Sequence, residues 1–188
     1  MFQNLREDWQ TYEGDPWRQG LWVMVVYRFG NWRYQIKPRL LRAPLSFVYK
    51  LFKVLSQILT GIDLPCEARV GKRFKIEHFG GIIISGDAQF GDDCVIRNGV
   101  TVGLRRTGTR GAPKIGDRVD IGAGAVILGD IVIGHDVAIG ANAVVLTSIP
   151  PDSIAVGVPA QIRPRKKVST LPQALDETAS RVVAGVGQ

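Results

Sequence analysis

The sequence predicts a mainly β fold, a parallel β-helix of hexapeptide repeats preceded by an N-terminal α-helical cap. Four observations predict it. From Ile115 the chain divides into hexads, IGDRVD, IGAGAV, ILGDIV, IGHDVA, IGANAV and VLTSIP, each starting with Ile or Val. The fifth residue of each is small or apolar: Val119, Ala125, Ile131, Val137, Ala143, Ile149. The same rhythm runs upstream through Leu64, Val70 and Ile76 and, after a shift, through Ile84, Phe90, Ile96 and Val102. Helical periodicity marks the first 60 residues, which also hold all four tryptophans, and vanishes over 61–163.

A period of six is too short for a helix pair and too regular for a sandwich. It suits a prism of short parallel strands in which three hexads make one coil. The first residue of each hexad then points inward and stacks on its equivalents in the coils above and below. Neighbouring coils pair as parallel strands about 4.8 Å apart. Glycine, frequent after the first position, fits turns whose backbone angles other residues resist. The expected organisation is a helical segment over 1–60, a β-helix domain of roughly five or six coils over 61–163, and a C-terminal tail over 164–188.

In the first segment, LLRAPLSFVYKLFKVLSQILT (residues 40–60) repeats apolar residues at spacings of three and four, interrupted by Arg42, Lys50 and Lys53. It reads as an amphipathic basic helix broken or started near Pro44. Such a face suits either a membrane surface or packing on the main domain or a neighbouring subunit. The tail carries RPRKK and then LPQALDETASRVV, a candidate short helix.

The hexad rhythm breaks twice. Between Ile76 and Ile84 the ladder slips by two residues, and EHFGG (77–81) occupies the slip; it contains one of only two histidines in the chain. Between Val102 and Ile115 the gap is thirteen residues, one more than two hexads. GLRRTGTRGAP there holds three arginines, three glycines and no core residue, so it should leave the prism as a loop. Insertions in solenoids tend to gather on one binding face.

Composition narrows the function. A chain of 188 residues with 45% hydrophobic side chains has material for one packed domain. A net charge of +7 and a pI near 9.7 favour an anionic partner such as nucleotide phosphates or lipid headgroups. Scattered Lys and Arg without an aromatic platform argue against nucleic acid. Cys66 and Cys94 are too few for a disulfide framework, so a reducing cytoplasm is the expectation. The acid-bearing start MFQNLREDWQTYEGD does not read as a signal peptide. Two histidines cannot supply a three-histidine zinc site, so no metal is expected.

These hexads, closing in PPDSIAVGVPAQI (150–162), resemble the hexapeptide-repeat acyltransferases, whose fold is a left-handed parallel β-helix. Within that superfamily the stretch from LTGIDLP (59–65) through GVPAQI is similar to the serine acetyltransferases and to the colanic acid acetyltransferases that modify exopolysaccharides. The resemblance implies an acetyl-CoA-dependent O-acetyltransferase, a homotrimer with acetyl-CoA in the groove between prisms, and no metal.

It further implies that His78 is the general base and that Asp63, fifteen residues earlier, supports it. A hydroxyl is a poor nucleophile at neutral pH, and imidazole, which titrates near neutrality, is suited to take its proton as it attacks a thioester. A carboxylate on the far ring nitrogen fixes the tautomer and stabilises the imidazolium. Glu77 is expected to face the acceptor. Backbone N–H groups at Gly80 or Gly99 are candidates for the oxyanion. Gly103, Ala123 and Ala141 are expected along the pantetheine arm. Where the family often carries Lys or Arg this chain has Gln161, which leaves Arg163, Arg165 or Lys166 for the nucleotide phosphate. His135, in the middle of a regular hexad, is expected to be uninvolved.

Departures bear on the acceptor. Serine acetyltransferases carry a His-Pro pair after the aspartate, where this chain has Leu64, Pro65 and Cys66; the residue before their base is aspartate, here Glu77. They also carry an Arg-His pair thought to meet the amino acid, at positions that here hold Gly111 and Ala112; Arg110 is the cation left nearby. The exopolysaccharide enzymes lack that pair too, and their corresponding stretch resembles IRNGVTVG (96–103). The expectation is therefore a sugar hydroxyl in exopolysaccharide or capsule biosynthesis, in the cytoplasm at the inner membrane face, with peripheral membrane contact through the helix. Serine O-acetylation for cysteine biosynthesis is the alternative enzyme, and an inactive trimeric β-helix scaffold is the alternative from another class.

Overall fold

A computed structural model describes residues 2–106, 108 and 111–165. Three helices, α1 (Phe2–Thr11), α2 (Gln19–Arg33) and α3 (Arg39–Thr60), lead directly into β1 (Ile62–Asp63). Gly61, in the left-handed region at φ 66°, ends α3 by donating its N–H to Gln57 O at 2.8 Å, and so turns the chain into the prism. Pro44 lies inside α3 and neither breaks nor starts it. It falls in the second turn, where its missing N–H removes a single bond near the helix end.

The prism is a left-handed parallel β-helix of five coils with three faces. The first face stacks β1, β4 (Ile82–Ile84), β7 (Thr101–Gly103), β10 (Val126–Leu128) and β13 (Val144–Val145). The second stacks β2 (Arg69–Val70), β5 (Gln89–Phe90), β8 (Lys114–Ile115) and β11 (Val132–Ile133), with Ile149 bridged onto Ile133. The third stacks β3 (Lys75–Glu77), β6 (Val95–Arg97), β9 (Asp120–Ile121), β12 (Ala138–Ile139) and β14 (Ser153–Val156). Strand β15 (Gln161–Pro164) then pairs antiparallel with β14 at that end. Every first-position residue from Leu64 to Val145 is buried, as is every fifth-position residue from Val119 to Ile149. Each such Ile or Val contributes roughly 1.5–3 kcal/mol by leaving water. Cys94 is one of the inward fillers, and both cysteines are free and buried.

Register measures the two breaks. Val126 pairs with Val144, the regular spacing of 18. Ile62 pairs with Ile82, a spacing of 20, so the first coil carries two surplus residues. Phe90 pairs with Ile115, a spacing of 25. The loop after Gly103 is therefore a seven-residue insertion into one hexad step, and the apparent near-match to two hexads is a coincidence of length.

A parallel prism leaves its first coil with unpaired strand edges, a hazard unless something covers them. Here the helices do so with polar side chains. Ile62 N–H donates to Thr60 Oγ1 at 3.3 Å, Cys66 N–H to the Tyr49 hydroxyl at 3.2 Å and Ile76 N–H to the Tyr12 hydroxyl at 2.8 Å. Tyr27 donates to Ala68 O and accepts from Val70 N–H. Arg28, almost fully buried, donates to Val70 O and Gly71 O and forms an ion pair with the buried Asp8 at 2.9 Å. The cap is thus hydrogen-bonded to the prism as well as packed on it.

Helix α3 is the exception. Only Tyr49 and Thr60 of its residues are buried, while Leu40, Phe47, Leu51, Phe52, Val54 and Ile58 all face outward. Among the described residues no helix is long and apolar enough to cross a membrane.

Candidate active site

The two surplus residues of the first coil are His78 and Phe79. Glu77 pairs with Arg97, and Gly99 N–H donates to Gly80 O at 2.8 Å, just as Gly124 N–H donates to Asn98 O one coil on. Gly80 therefore occupies the position of Asn98, and nothing in the next coil matches the two residues between. His78 turns the chain out of the wall with φ 63°, an unusual conformation for a residue other than glycine. Its side chain is exposed and lines a cavity of about 460 Å³ between the third face and the α1–α2 connection.

This bulge sits where the third face turns into the first. At the same corner the left-handed positions are Gly61, Gly81, Gly99, Gly124 and Asn142, one per coil. A side chain at Gly80 would meet no atom within 4 Å. Ala123 and Ala141 belong to this rail: Asn142 N–H donates to Ala123 O at 2.8 Å, which stacks the two alanines in adjacent coils. Gly103 does not. It pairs with Leu128 at the far edge of the first face, where the inserted loop leaves. Arg163 lies on β15, exposed, opposite Ile154. Arg165 donates through Nη1 to Asp136 O at 3.2 Å. Arg110 and Lys166 lie outside the described residues.

Asp63 stands on β1 just past this corner, beneath Ile83. It makes no hydrogen bond to His78. Lys53 of α3 stands 3.3 Å from Asp63 Oδ1, an ion pair without hydrogen-bond alignment, and that oxygen is buried. Lys53 was not legible as a site residue, because its spacing reads as helix periodicity alone.

Glu77 lies between Lys75 at 3.2 Å and Arg97 at 3.0 Å, and Arg97 continues to Asp120. Burial would raise the Glu77 carboxyl, but these two cations outweigh it and hold it below the ordinary range. Of the two oxyanion candidates, Gly99 N–H is taken by Gly80 O, while Gly80 N–H has no partner among the described residues. His135 lies on the other side of the prism, accepting Asp117 N–H at Nδ1. Gly111 abuts Asp130, and Ala112 is buried in the core, against the expectation that GLRRTGTRGAP holds no core residue. No group of three His, Cys, Asp or Glu side chains able to hold a metal occurs among the described residues.

The second wall of the cavity was missed by sequence reasoning. Tyr12, Trp17 and Gln19 come from the helical cap, some sixty residues before His78. Only the concentration of tryptophans hinted at a special role there.

A prism of hexapeptide coils with a histidine displaced at a glycine-lined corner defines the class of hexapeptide-repeat transferases. Residues 112–147 match the family model for the bacterial transferase hexapeptide (six repeats). The chain is 44% identical over 145 residues to the serine acetyltransferase of Mycobacterium tuberculosis H37Rv, a match covering 76% of this chain and 60% of that enzyme. It is 36% identical over 146 residues to the Escherichia coli K12 protein described as a colanic acid biosynthesis acetyltransferase, WcaB, covering 75% of this chain and 88% of the relative. The serine acetyltransferase of Brucella abortus S19 solved in complex with coenzyme A superimposes with a TM-score of 0.74 at 29% identity, covering 86% of this chain and 66% of that one. The chain belongs to the hexapeptide-repeat acetyltransferase family, in the group that includes serine acetyltransferases and WcaB.

Proposed function

We propose that the protein is an acetyl-CoA-dependent O-acetyltransferase acting on a sugar hydroxyl in exopolysaccharide or capsule biosynthesis. The observation that carries the reading is the His78–Phe79 bulge, which puts an imidazole in an open cavity beside a corner kept free of side chains. Relatives named acetyltransferases, one solved with coenzyme A, supply the reaction class.

Acetyl-CoA supplies the thioester carbonyl. His78 takes the proton of the acceptor hydroxyl as the oxygen bonds to the carbonyl carbon, and returns it to the sulfur when the C–S bond breaks. Gly80 N–H stands next to His78 with no partner among the described residues and is suited to the carbonyl oxygen. The rail of Gly99, Ala123, Gly124 and Ala141 admits a narrow arm against the backbone. Arg163 and Lys166 are the candidates for the nucleotide phosphate, with Asp63 supporting the base through a rearrangement that frees it from Lys53.

A sugar is favoured over L-serine because the positions that carry a cationic pair in serine acetyltransferases hold Gly111, pressed on Asp130, and the buried Ala112. An amino-acid carboxylate needs a cation when desolvated. Serine acetylation remains the second reading, favoured by the names of the relatives. Apolar side chains exposed on the prism, Ile83 and Val132 among them, support a homotrimer whose partner closes the groove. The outward apolar row of α3, with Arg39, Arg42, Lys50 and Lys53 and no acid in the helix, supports contact with an anionic inner-membrane surface.

The test is release of CoA thiol from acetyl-CoA by the purified protein with glycan, simple sugar or L-serine as acceptor. Release dependent on sugar is expected. Serine-dependent release would establish the second reading, and no release with no CoA binding by calorimetry would leave a scaffold.

A further inference from the structure

The cavity in front of His78 has two walls, and the one contributed by the cap is equipped for a ligand. Trp17 leaves 80% of its surface in water and Phe79 leaves 54%, so two aromatic rings flank the histidine without being packed. Gln19 Oε1 is closed off from solvent and accepts no hydrogen bond from any described residue. A buried acceptor without a donor destabilises a fold, so one left beside a cavity points to a donor that arrives with a ligand. The Tyr12 hydroxyl accepts Ile76 N–H at 2.8 Å, and its own proton has no acceptor among the described residues. Burial pushes that phenol upward, so it stays protonated and able to donate.

The charges of the cavity are already matched. Lys75 is on Glu77 at 3.2 Å, and Arg18 is on Asp15 at 3.2 Å and near Glu13 at 3.9 Å. Among the described residues that line the cavity, no cation is left over for a carboxylate.

We infer that this cavity is the acceptor subsite and that it takes an uncharged hexopyranose, stacked on Trp17 or Phe79, with hydroxyls bonded to the Tyr12 hydroxyl and, once its side chain turns toward the cavity, to Gln19 Oε1. The C–H groups on one face of a pyranose carry slight positive charge and suit the negative face of an aromatic ring. Its hydroxyls both donate and accept, which matches one unmet acceptor and one unmet donor. A zwitterionic amino acid would instead have to break an existing ion pair. The inference rests on the acetyltransferase reading for the role of the sugar, while the binding site stands on its own geometry. It makes the cap part of the site, with Trp17 and Gln19 as specificity-determining residues.

Saturation-transfer NMR on the 188-residue chain without acetyl-CoA tests it, with methyl β-D-galactopyranoside, methyl β-D-glucopyranoside and L-serine as probes. Transfer to the ring protons of a glycoside is expected, lost in Trp17→Ala and in Gln19→Met, with none to L-serine. Trp17 is exposed, so its replacement leaves the core intact. With acetyl-CoA added, Trp17→Ala should raise the glycoside KM about tenfold, a loss of about 1.4 kcal/mol of binding, and leave the acetyl-CoA KM unchanged. Absence of transfer to both glycosides, or transfer that survives both substitutions, overturns the subsite. Glycoside binding without any CoA release would overturn the acetyltransferase reading and keep the sugar site. Serine-dependent release without glycoside binding would overturn the subsite and keep the enzyme.

Discussion

Two corners of the prism turn through the same left-handed backbone and carry opposite kinds of residue. Where the second face meets the third, the left-handed positions are Arg73, Asp93, Arg118, Asp136 and Asp152, with φ between 52° and 59°. Their side chains pair along the axis: Arg73 reaches Asp93 at 2.7 Å and Arg118 reaches Asp136 at 2.6 Å. Where the third face meets the first, the matching positions are four glycines and Asn142. Each left-handed residue other than glycine costs about 1–2 kcal/mol, and the charged corner shows that this fold tolerates that cost repeatedly. Backbone angle alone therefore does not require glycine at the other corner. What it needs is bare backbone, and the bulge that carries His78 opens on that bare edge.

The largest effect that would sharpen this contrast is His78→Ala. It should lower kcat by about 10²–10⁴ while the melting temperature stays unchanged, because the side chain is exposed and bonds to no other described residue. A variant that keeps full acetyl transfer breaks the assignment. Next comes Gly81→Asn, which gives the bare corner a side chain of the kind Asn142 already places there. A Cβ at Gly81 would sit in ordinary contact, 3.5 Å from Gly99 Cα, so the fold should survive. The acetyl-CoA KM should rise about tenfold, equivalent to about 1.4 kcal/mol. An unchanged KM would mean that the bare corner serves packing rather than the co-substrate.

The smallest effect belongs to the charged corner. Arg73→Ala should leave acetyl transfer untouched and lower the melting temperature only slightly at pH 7. Arg73 holds the Asp93 carboxyl below its usual range. A carboxyl depressed in the folded state adds stability above its unfolded value, about 3.9, and loses it as pH falls through the folded value. The gap in melting temperature between wild type and Arg73→Ala should therefore close on acidification below about pH 4. A gap that widens there would show that the arginine acts by something other than Asp93.

How far the sequence was legible follows from the distance over which each signal acts. The inward ladder was readable because one residue in six must be buried, and the order Leu64, Val70, Ile76 states that locally. The slip at EHFGG was readable for the same reason, and register narrows it to His78 and Phe79. The loop after Gly103 was readable as a loop but not in its length, because thirteen residues resemble two hexads until Phe90 is seen to pair with Ile115. Gly103 was expected along the same pantetheine arm as Ala123 and Ala141, and it stands across the first face from them; resemblance gives membership of a motif, not the corner a residue occupies.

By itself, then, the sequence determined the repeat, the number of coils to within one, and the place where an imidazole leaves the wall, because all of these follow from short-range periodicity. Tertiary structure alone decided what surrounds that imidazole. Asp8 closes on Arg28 across twenty residues, Lys53 reaches Asp63 from within α3, and Tyr12, Trp17 and Gln19 arrive from the cap to face His78. Such contacts repeat nowhere in the chain. They arise because the open edge of the first coil must be covered, and the segment that covers it brings its side chains to the histidine.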